Sequence, residues 1–292
     1  MPKLLSPTEL ASYERNGYVS PVPVFGPDEA AALTREIEAF ERRHPAETTW
    51  AFDIKCNLLL DWVVAAGMHH RILDAIEDLL GPNIFMTNAV FRIKEPDSPI
   101  EYGWHQDSAR IQVEPCFVIV YLAVTKATRE NGCLLVIPGS HSQVEPFSVV
   151  ENAGQRERQV ARVRDPDVSR AVPMELRPGE AAFFSANLVH GSEPNRSDRR
   201  RIAILYDYTA AHARQSVGQG SGQLVRGIDH WRHFGHEPFP EPGLTQGNAA
   251  MRREILRTYP ENPLMGPLEP GAQPRFPDAI RGRFAETPPL QR

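Results

Sequence analysis

Cysteine is scarce. Cys56, Cys116 and Cys133 are the only three in 292 residues, widely spaced and without a CxxC pair. An odd, scattered set gives no disulfide framework and reads as reduced, mostly buried thiols in a cytoplasmic protein. Long hydrophobic runs are also missing. The longest, Cys116 to Val124, is far too short to span a bilayer. The first residues, Met1 to Pro7, lack the apolar stretch of a secretory signal. There is no excess of positive charge: 32 Lys and Arg stand against 37 Asp and Glu, a net charge of −5. Without a broad basic field, nucleic acid is not an expected partner, and neither is a membrane. No repeat recurs at solenoid or propeller periods. What remains is an ordinary soluble globular composition, 41% hydrophobic and 24% charged.

The pattern along the chain changes once. Ser6-Pro7-Thr8-Glu9 is a capping box with proline at the first helical position, so a short helix should run to about Arg15 and stop at Asn16-Gly17. Gly26-Pro27-Asp28-Glu29 opens a second helix through Leu33, Ile37 and Phe40, ending before Pro45. A third runs from Arg71 to Leu80 with an apolar stripe, closed by Gly81-Pro82. From Ile84 the signals turn strand-like. Alternation covers Phe85 to Ile93, and β-branched and aromatic residues fill Phe117 to Leu122. Asn131-Gly132 marks a turn before the apolar run Cys133 to Ile137. Ala181 to Phe184 leads to His190, and Ile202 to Tyr206 is a further strand.

Helices first and strands afterwards predict a mainly β fold with flanking α, a sheet core buttressed by N-terminal helices. The expected organisation is one domain over 1–292. Its parts are a helical part over 1–82, a core over 83–210 with a polar insertion at 142–172, and a C-terminal extension over 211–292. From Pro238 onward an extended surface tail is expected.

Two histidines and one carboxylate form the protein half of a facial metal site that leaves coordination positions open. His105 and Asp107 are two apart, so in a strand both point to one side while Gln106 faces away. His190 must join them from another strand. Taken alone, HxD is short and common by chance. Arg201, downstream of His190, offers a planar cationic fork for a carboxylate, with Ala203 and Leu205 on its face of a strand. In the run Arg199-Arg200-Arg201, Arg199 shares that face, while Arg196 and Arg200 read as solvated. His69, His70, His212, His230, His233 and His236 read as ordinary surface or core residues. His141, Asn131 and Trp104 read as a turn or rim residue, a turn residue and a packing residue.

The surrounding text resembles the phytanoyl-CoA dioxygenase family of Fe(II)/2-oxoglutarate oxygenases. The matching stretches are Phe91 to Pro96, Trp104-His105-Gln106-Asp107, Glu130 to Leu134 with Ile137 to His141, and His190 to Asn195 followed by Arg201-Ile202. They occur in order over roughly residues 6–210, which is far more specific than any one of them. The resemblance implies a double-stranded β-helix (a cupin-like jelly-roll) with iron held by His105, Asp107 and His190. It also implies that Arg201 pairs with the C5 carboxylate of 2-oxoglutarate and that Ser192 adds a hydroxyl to it. The cofactors so implied are Fe(II), 2-oxoglutarate as co-substrate, and O2.

In halogenating relatives of this fold a small residue replaces the carboxylate. Here Asp107 is present, so hydroxylation of a small-molecule C–H is the expected outcome. Desaturation, epoxidation, cyclisation or epimerisation at the same site, and a non-catalytic metal-binding jelly-roll, are the alternatives. The pocket walls are expected from Gln143–Pro173 and the region after Thr209. Tyr102, Trp104, Arg110 and Tyr121 would suit a small polar or anionic substrate, and Lys94 and Asn88 lie on a strand that could border the co-substrate.

Overall fold

A computed structural model describes residues 2–109, 111–151, 159–216, 218 and 220–258. Arg110 and the end of the chain from residue 259 lie outside them.

The three expected helices form at Pro7–Asn16, Pro27–Arg43 and His70–Leu80. The Ser6–Glu9 capping box closes reciprocally, and Gly17 (φ 83°) takes the left-handed turn that stops the first helix. Two short helices, Thr48–Ala51 and Asp61–Gly67, carried no periodic signal long enough to read.

The strands fold into two facing sheets. The large sheet has seven strands, in the spatial order Tyr18–Pro23, Glu180–Ser185, Val118–Ala123, Arg201–Ala210, Ile84–Lys94, Ser221–Arg226 and Gly235–His236. The small sheet orders Tyr102–His105, His190–Ser192, Leu134–Val136 and Val172–Met174. Neighbours are antiparallel except Ser221–Arg226 with Gly235–His236. This is the jelly-roll core.

Alternation gives each face of the large sheet its own task. Ile202, Ile204, Tyr206 and Tyr208 face outward and pack with Ile37, Phe40, Ile72 and Ile76 of the helices. Tyr206 and Tyr208 donate their hydroxyls to the carbonyls of Val63 and Gly67 at 3.0 and 2.7 Å, which docks the Asp61–Gly67 helix. Ala203, Leu205, Ile119 and Tyr121 face inward and meet Leu134 and Val136 of the small sheet. The site lies between the sheets.

Four expectations change. Tyr18–Pro23, inside the stretch read as helical, is an edge strand of the large sheet. The polar segment 142–172 holds a hairpin, Phe147–Glu151 with Gln159–Val163, and ends in a strand of the small sheet. Beyond residue 210, Ser221–Arg226 pairs with Ile84–Lys94. Within the expected tail, Gln246–Thr258 is a helix. Arg252 on it donates to the carbonyls of Ile54 and Trp50, at 2.6 to 2.9 Å. In each case tertiary pairing supplied the hydrogen bonds or apolar cover that local pattern did not announce. Among the described residues, no helix is long and apolar enough to cross a membrane.

Candidate active site

His105 ends one strand of the small sheet and His190 begins its neighbour, and the two are direct cross-strand partners. Their rings lie 4.1 Å apart between centroids. Asp107 does not sit on the strand, as the i, i+2 reading expected, but opens the tight turn Asp107–Ala109 that follows it. The turn still aims the carboxylate back: Oδ1 is 3.7 Å from His105 Nε2, and Oδ2 is 3.4 Å from His190 Nε2. The three residues each offer a ligand atom, all within 4.8 Å of one another.

The backbone sets the tautomers. His105 Nδ1 is 2.7 Å from the Gly103 carbonyl, and His190 Nδ1 is 2.8 Å from that of Leu188. A carbonyl only accepts, so each Nδ1 carries the proton and each Nε2 presents a lone pair. Two imidazole lone pairs and a carboxylate then converge on one point. That arrangement is repulsive until a cation enters. Two nitrogens and one oxygen on a single face suit Fe(II) with open positions.

Gln106 holds this turn. It is buried, its amide nitrogen donates to the carbonyls of Gln143 (2.9 Å) and Asn187, and its oxygen accepts from the Glu145 backbone N–H at 2.7 Å. Gly191 allows the strands to close. A Cβ there would lie 2.7 Å from the Tyr102 carbonyl oxygen.

Arg201 is 2% exposed, whereas the Arg199 side chain is 82% exposed, so burial chooses between them. Arg200 is not merely solvated: it forms a two-pronged pair with Glu41 at 2.6 and 2.8 Å and a further bond to Glu95 at 2.8 Å. Arg201 Nη1 donates to the Tyr121 hydroxyl at 2.6 Å, while its Nε and Nη2 find no partner among the described residues. Directly across the strands stands Lys94, also fully buried. Its ammonium donates to Ser192 Oγ at 2.8 Å and to the Glu193 carbonyl. Burial, then the neighbouring Arg201 charge, pull its pKa down to about 7. Among the described residues no carboxylate pairs with either cation. Buried charges are costly unless paired. Ala203 and Ala123, both buried, keep the space beside them small-walled.

Sequence reasoning named Arg201 and Ser192 but missed Tyr121 as the arginine's partner and gave Lys94 little weight. The signal for Lys94 was its inward parity with Arg92 and Val90. The register that sets it against Arg201 is not written locally.

Further along the inner face of the Arg201 strand lies Asp207. Its Oδ2 accepts from Asn88 Nδ2 at 3.0 Å. Burial, then the Asp107 charge, raise its carboxyl to about 7. Asp207 lines a small recess of about 20 Å³ together with Thr87, Ile111, Val113, Phe117, Thr209 and Phe234, and with residues 215, 220 and 221. Residues 215, 220 and 221 and Phe234, all after Thr209, line this recess, and no described residue of Gln143–Pro173 does. His141 bonds the Glu14 carbonyl at 3.1 Å, and Asn131 braces its turn through Thr128 and Lys126 at 2.8 Å each.

A family model described as phytanoyl-CoA dioxygenase (PhyH) matches residues 13–203. The chain belongs to this family. The peroxisomal phytanoyl-CoA dioxygenase of Homo sapiens is 30% identical over 179 residues, 57% of this chain and 53% of that protein. The ectoine dioxygenase of Bordetella parapertussis is 25% identical over 238 residues, 70% of this chain and 76% of that protein. Among solved structures, the apo form of the non-heme monooxygenase ThoJ aligns with a TM-score of 0.76 at 25% identity, covering 85% of this chain and 95% of that one. The chain spans about half the length of the phytanoyl-CoA dioxygenases it matches.

Proposed function

We propose that the chain is an Fe(II)- and 2-oxoglutarate-dependent dioxygenase that hydroxylates an unactivated C–H bond of a small molecule, with release of succinate and CO2. One observation carries this reading: three convergent metal-ligating atoms stand in the same inter-sheet space as two buried cations that pair with no carboxylate among the described residues. The first set fits a divalent metal and the second fits a dicarboxylate.

His105, Asp107 and His190 hold the iron. When bound, the iron with O2 and 2-oxoglutarate supplies the oxidising power. The residues of the chain position and shield. Gly103 and Leu188 carbonyls fix the histidine tautomers, and Gln106 fixes the Asp107 turn. Arg201 presents its fork to the C5 carboxylate of 2-oxoglutarate, and Lys94 adds a second charge. Ser192 Oγ accepts from Lys94, so its own O–H is left to donate to the same carboxylate. Inward apolar residues such as Leu205 and Ile119 exclude water.

Asp107 occupies the third ligand position, so no place opens there for a halide, and hydroxylation is the assigned outcome. Product analysis separates it from desaturation, epoxidation, cyclisation or epimerisation. The cation pair favours turnover over a passive metal-binding role, because a metal scaffold has no use for an acid-free Lys94–Arg201 pair. Residues 1–292 are read as a single oxygenase domain, since the part after 210 supplies a strand of the large sheet and a wall of the recess. Its three free thiols fit the cytoplasm.

The test is anaerobic titration of metal-free protein with Fe(II) and 2-oxoglutarate, watched for the visible metal-to-ligand charge-transfer band. A band in wild type that is lost in His190→Ala supports the reading. Metal binding without a band overturns it.

A further inference from the structure

We propose that the recess beside Asp207 binds a cationic nitrogen of the substrate, so that this oxygenase acts on an amine-bearing small molecule. The inference rests on the oxygenase reading above and deepens it.

The argument begins with position. On the inner face of one strand the order is Arg201, Ala203, Leu205, Asp207. Six residues of strand separate the arginine from the aspartate, a span of roughly 20 Å. The co-substrate's cations therefore stand at one end of the face and a carboxylate at the other. The recess itself adjoins the candidate metal ligands. Ile111, in its wall, donates its backbone N–H to the Asp107 carbonyl at 3.0 Å. The Asp107 charge is also one cause of the raised Asp207 carboxyl, which places the two carboxylates within electrostatic reach.

The second step is unused bonding capacity. Asp207 is 9% exposed, and its one side-chain donor among the described residues is the neutral Asn88 amide. None of its oxygens pairs with a cation among those residues. Arg92 and Lys55 act on it only at a distance: Arg92 lies over the Tyr102 ring at 5.2 Å, and Lys55 is bound to Glu237. Thr209, in the same wall and 1% exposed, has a hydroxyl with no partner. A carboxylate and a hydroxyl oxygen both left open in one recess call for a donor-rich group. A neutral alcohol would satisfy one bond and leave the buried charge uncompensated. An ammonium supplies several N–H donors and the opposite charge together.

The remaining walls, Ile111, Val113, Phe117 and Phe234, are apolar, and the space of about 20 Å³ admits a group the size of an ammonium head, with the carbon chain leading outward. Of the small polar or anionic substrate expected from nearby aromatic and arginine content, the proposal keeps the polar reading and makes its charge positive. Tyr121, one of the residues behind that expectation, is engaged by Arg201 instead.

The experiment titrates full-length, metal-free protein with n-butylammonium and, separately, n-butanol, read by saturation-transfer-difference NMR. Wild type should bind the ammonium in clear preference to the alcohol. Asp207→Asn should weaken ammonium binding at least about tenfold, the size expected for a charged hydrogen bond. Thr209→Val should weaken it less, and thermal melts of both variants establish that they fold. No ammonium binding, equal binding of the alcohol, or unchanged affinity in a folded Asp207→Asn overturns the proposal. If that variant fails to fold, unchanged affinity in Thr209→Val overturns it instead. The titration needs no iron, so it can fail while the charge-transfer band is present, and the band can fail while the amine binds.

Discussion

Lys94 and Arg201 face each other across two paired strands of the large sheet, both buried and neither paired with an acid among the described residues. Arg201→Ala removes the planar fork and should raise the Kd for 2-oxoglutarate by about a hundredfold or more, since it leaves a buried carboxylate partly uncompensated. Anaerobic charge-transfer titration reads the change directly. An unchanged requirement for 2-oxoglutarate would remove Arg201 from its role.

Lys94 predicts a pH dependence. Its pKa in the free protein is depressed to about 7 from an ordinary 10.5. Below that value it is charged and ready for an anion. Above it, binding the anion must take up a proton, so affinity for 2-oxoglutarate falls as pH rises, by up to about tenfold per unit. Kd measured from about pH 6 to about pH 8 should climb in wild type. Lys94→Met should bind more weakly at the acid end and show a flat profile there. A Met variant that keeps the wild-type slope would assign the titration to another group.

His105→Ala and Asp107→Ala should each abolish succinate formation. Removal of groups that merely orient metal ligands costs about 10- to 100-fold in affinity, so loss of a ligand should exceed that. Calorimetric Fe(II) titration under nitrogen, compared with wild type, provides the check.

Gly191 lies between a proposed metal ligand and Ser192, where a Cβ would press on the Tyr102 carbonyl oxygen at 2.7 Å. Gly191→Ala should spread the two strands, lower stability by about 1–3 kcal/mol and weaken Fe(II) binding together. Urea unfolding and metal titration on the same variant would show both losses. A stability loss with wild-type metal affinity would mean that the strand spacing does not set the site.

Lys55 and Glu237 form a fully buried ion pair joining the N-terminal part to the segment after the core; Glu237 Oε1 accepts from Lys55 and from Ser221 Oγ, while Oε2 has no hydrogen-bond partner among the described residues. Lys55→Met strands that carboxylate and should cost about 3–5 kcal/mol in urea unfolding. Adding Glu237→Gln should recover part of the loss. If the single variant is as stable as wild type, the pair does not hold the C-terminal segment.

Local chemistry made much of this legible in advance. The capping box at Ser6–Glu9, the stripe ending at Gly81 and the alternation from Phe85 to Ile93 each act within a few residues, and each produced its element. The Trp104–Asp107 and His190–Ser192 stretches were readable because they occur in order with the other stretches that resemble the phytanoyl-CoA dioxygenase family, whereas HxD alone is common by chance. Arg201 was readable as a candidate because an arginine fork matches a carboxylate and it follows His190 in the resembling stretch.

The edge strand Tyr18–Pro23 and the strand Ser221–Arg226 were not legible. A strand is completed by hydrogen bonds to a partner that the local sequence does not name. The same holds for the site. Sequence alone identified His105, Asp107, His190 and Arg201 as a set of chemically apt residues. Only the folded register set Lys94 against Arg201, Tyr121 beneath the guanidinium, and Asp207 in a recess near the proposed metal ligands. Register is decided by the burial of whole faces, and a slip of one residue would have turned each of these side chains to the other side of the sheet.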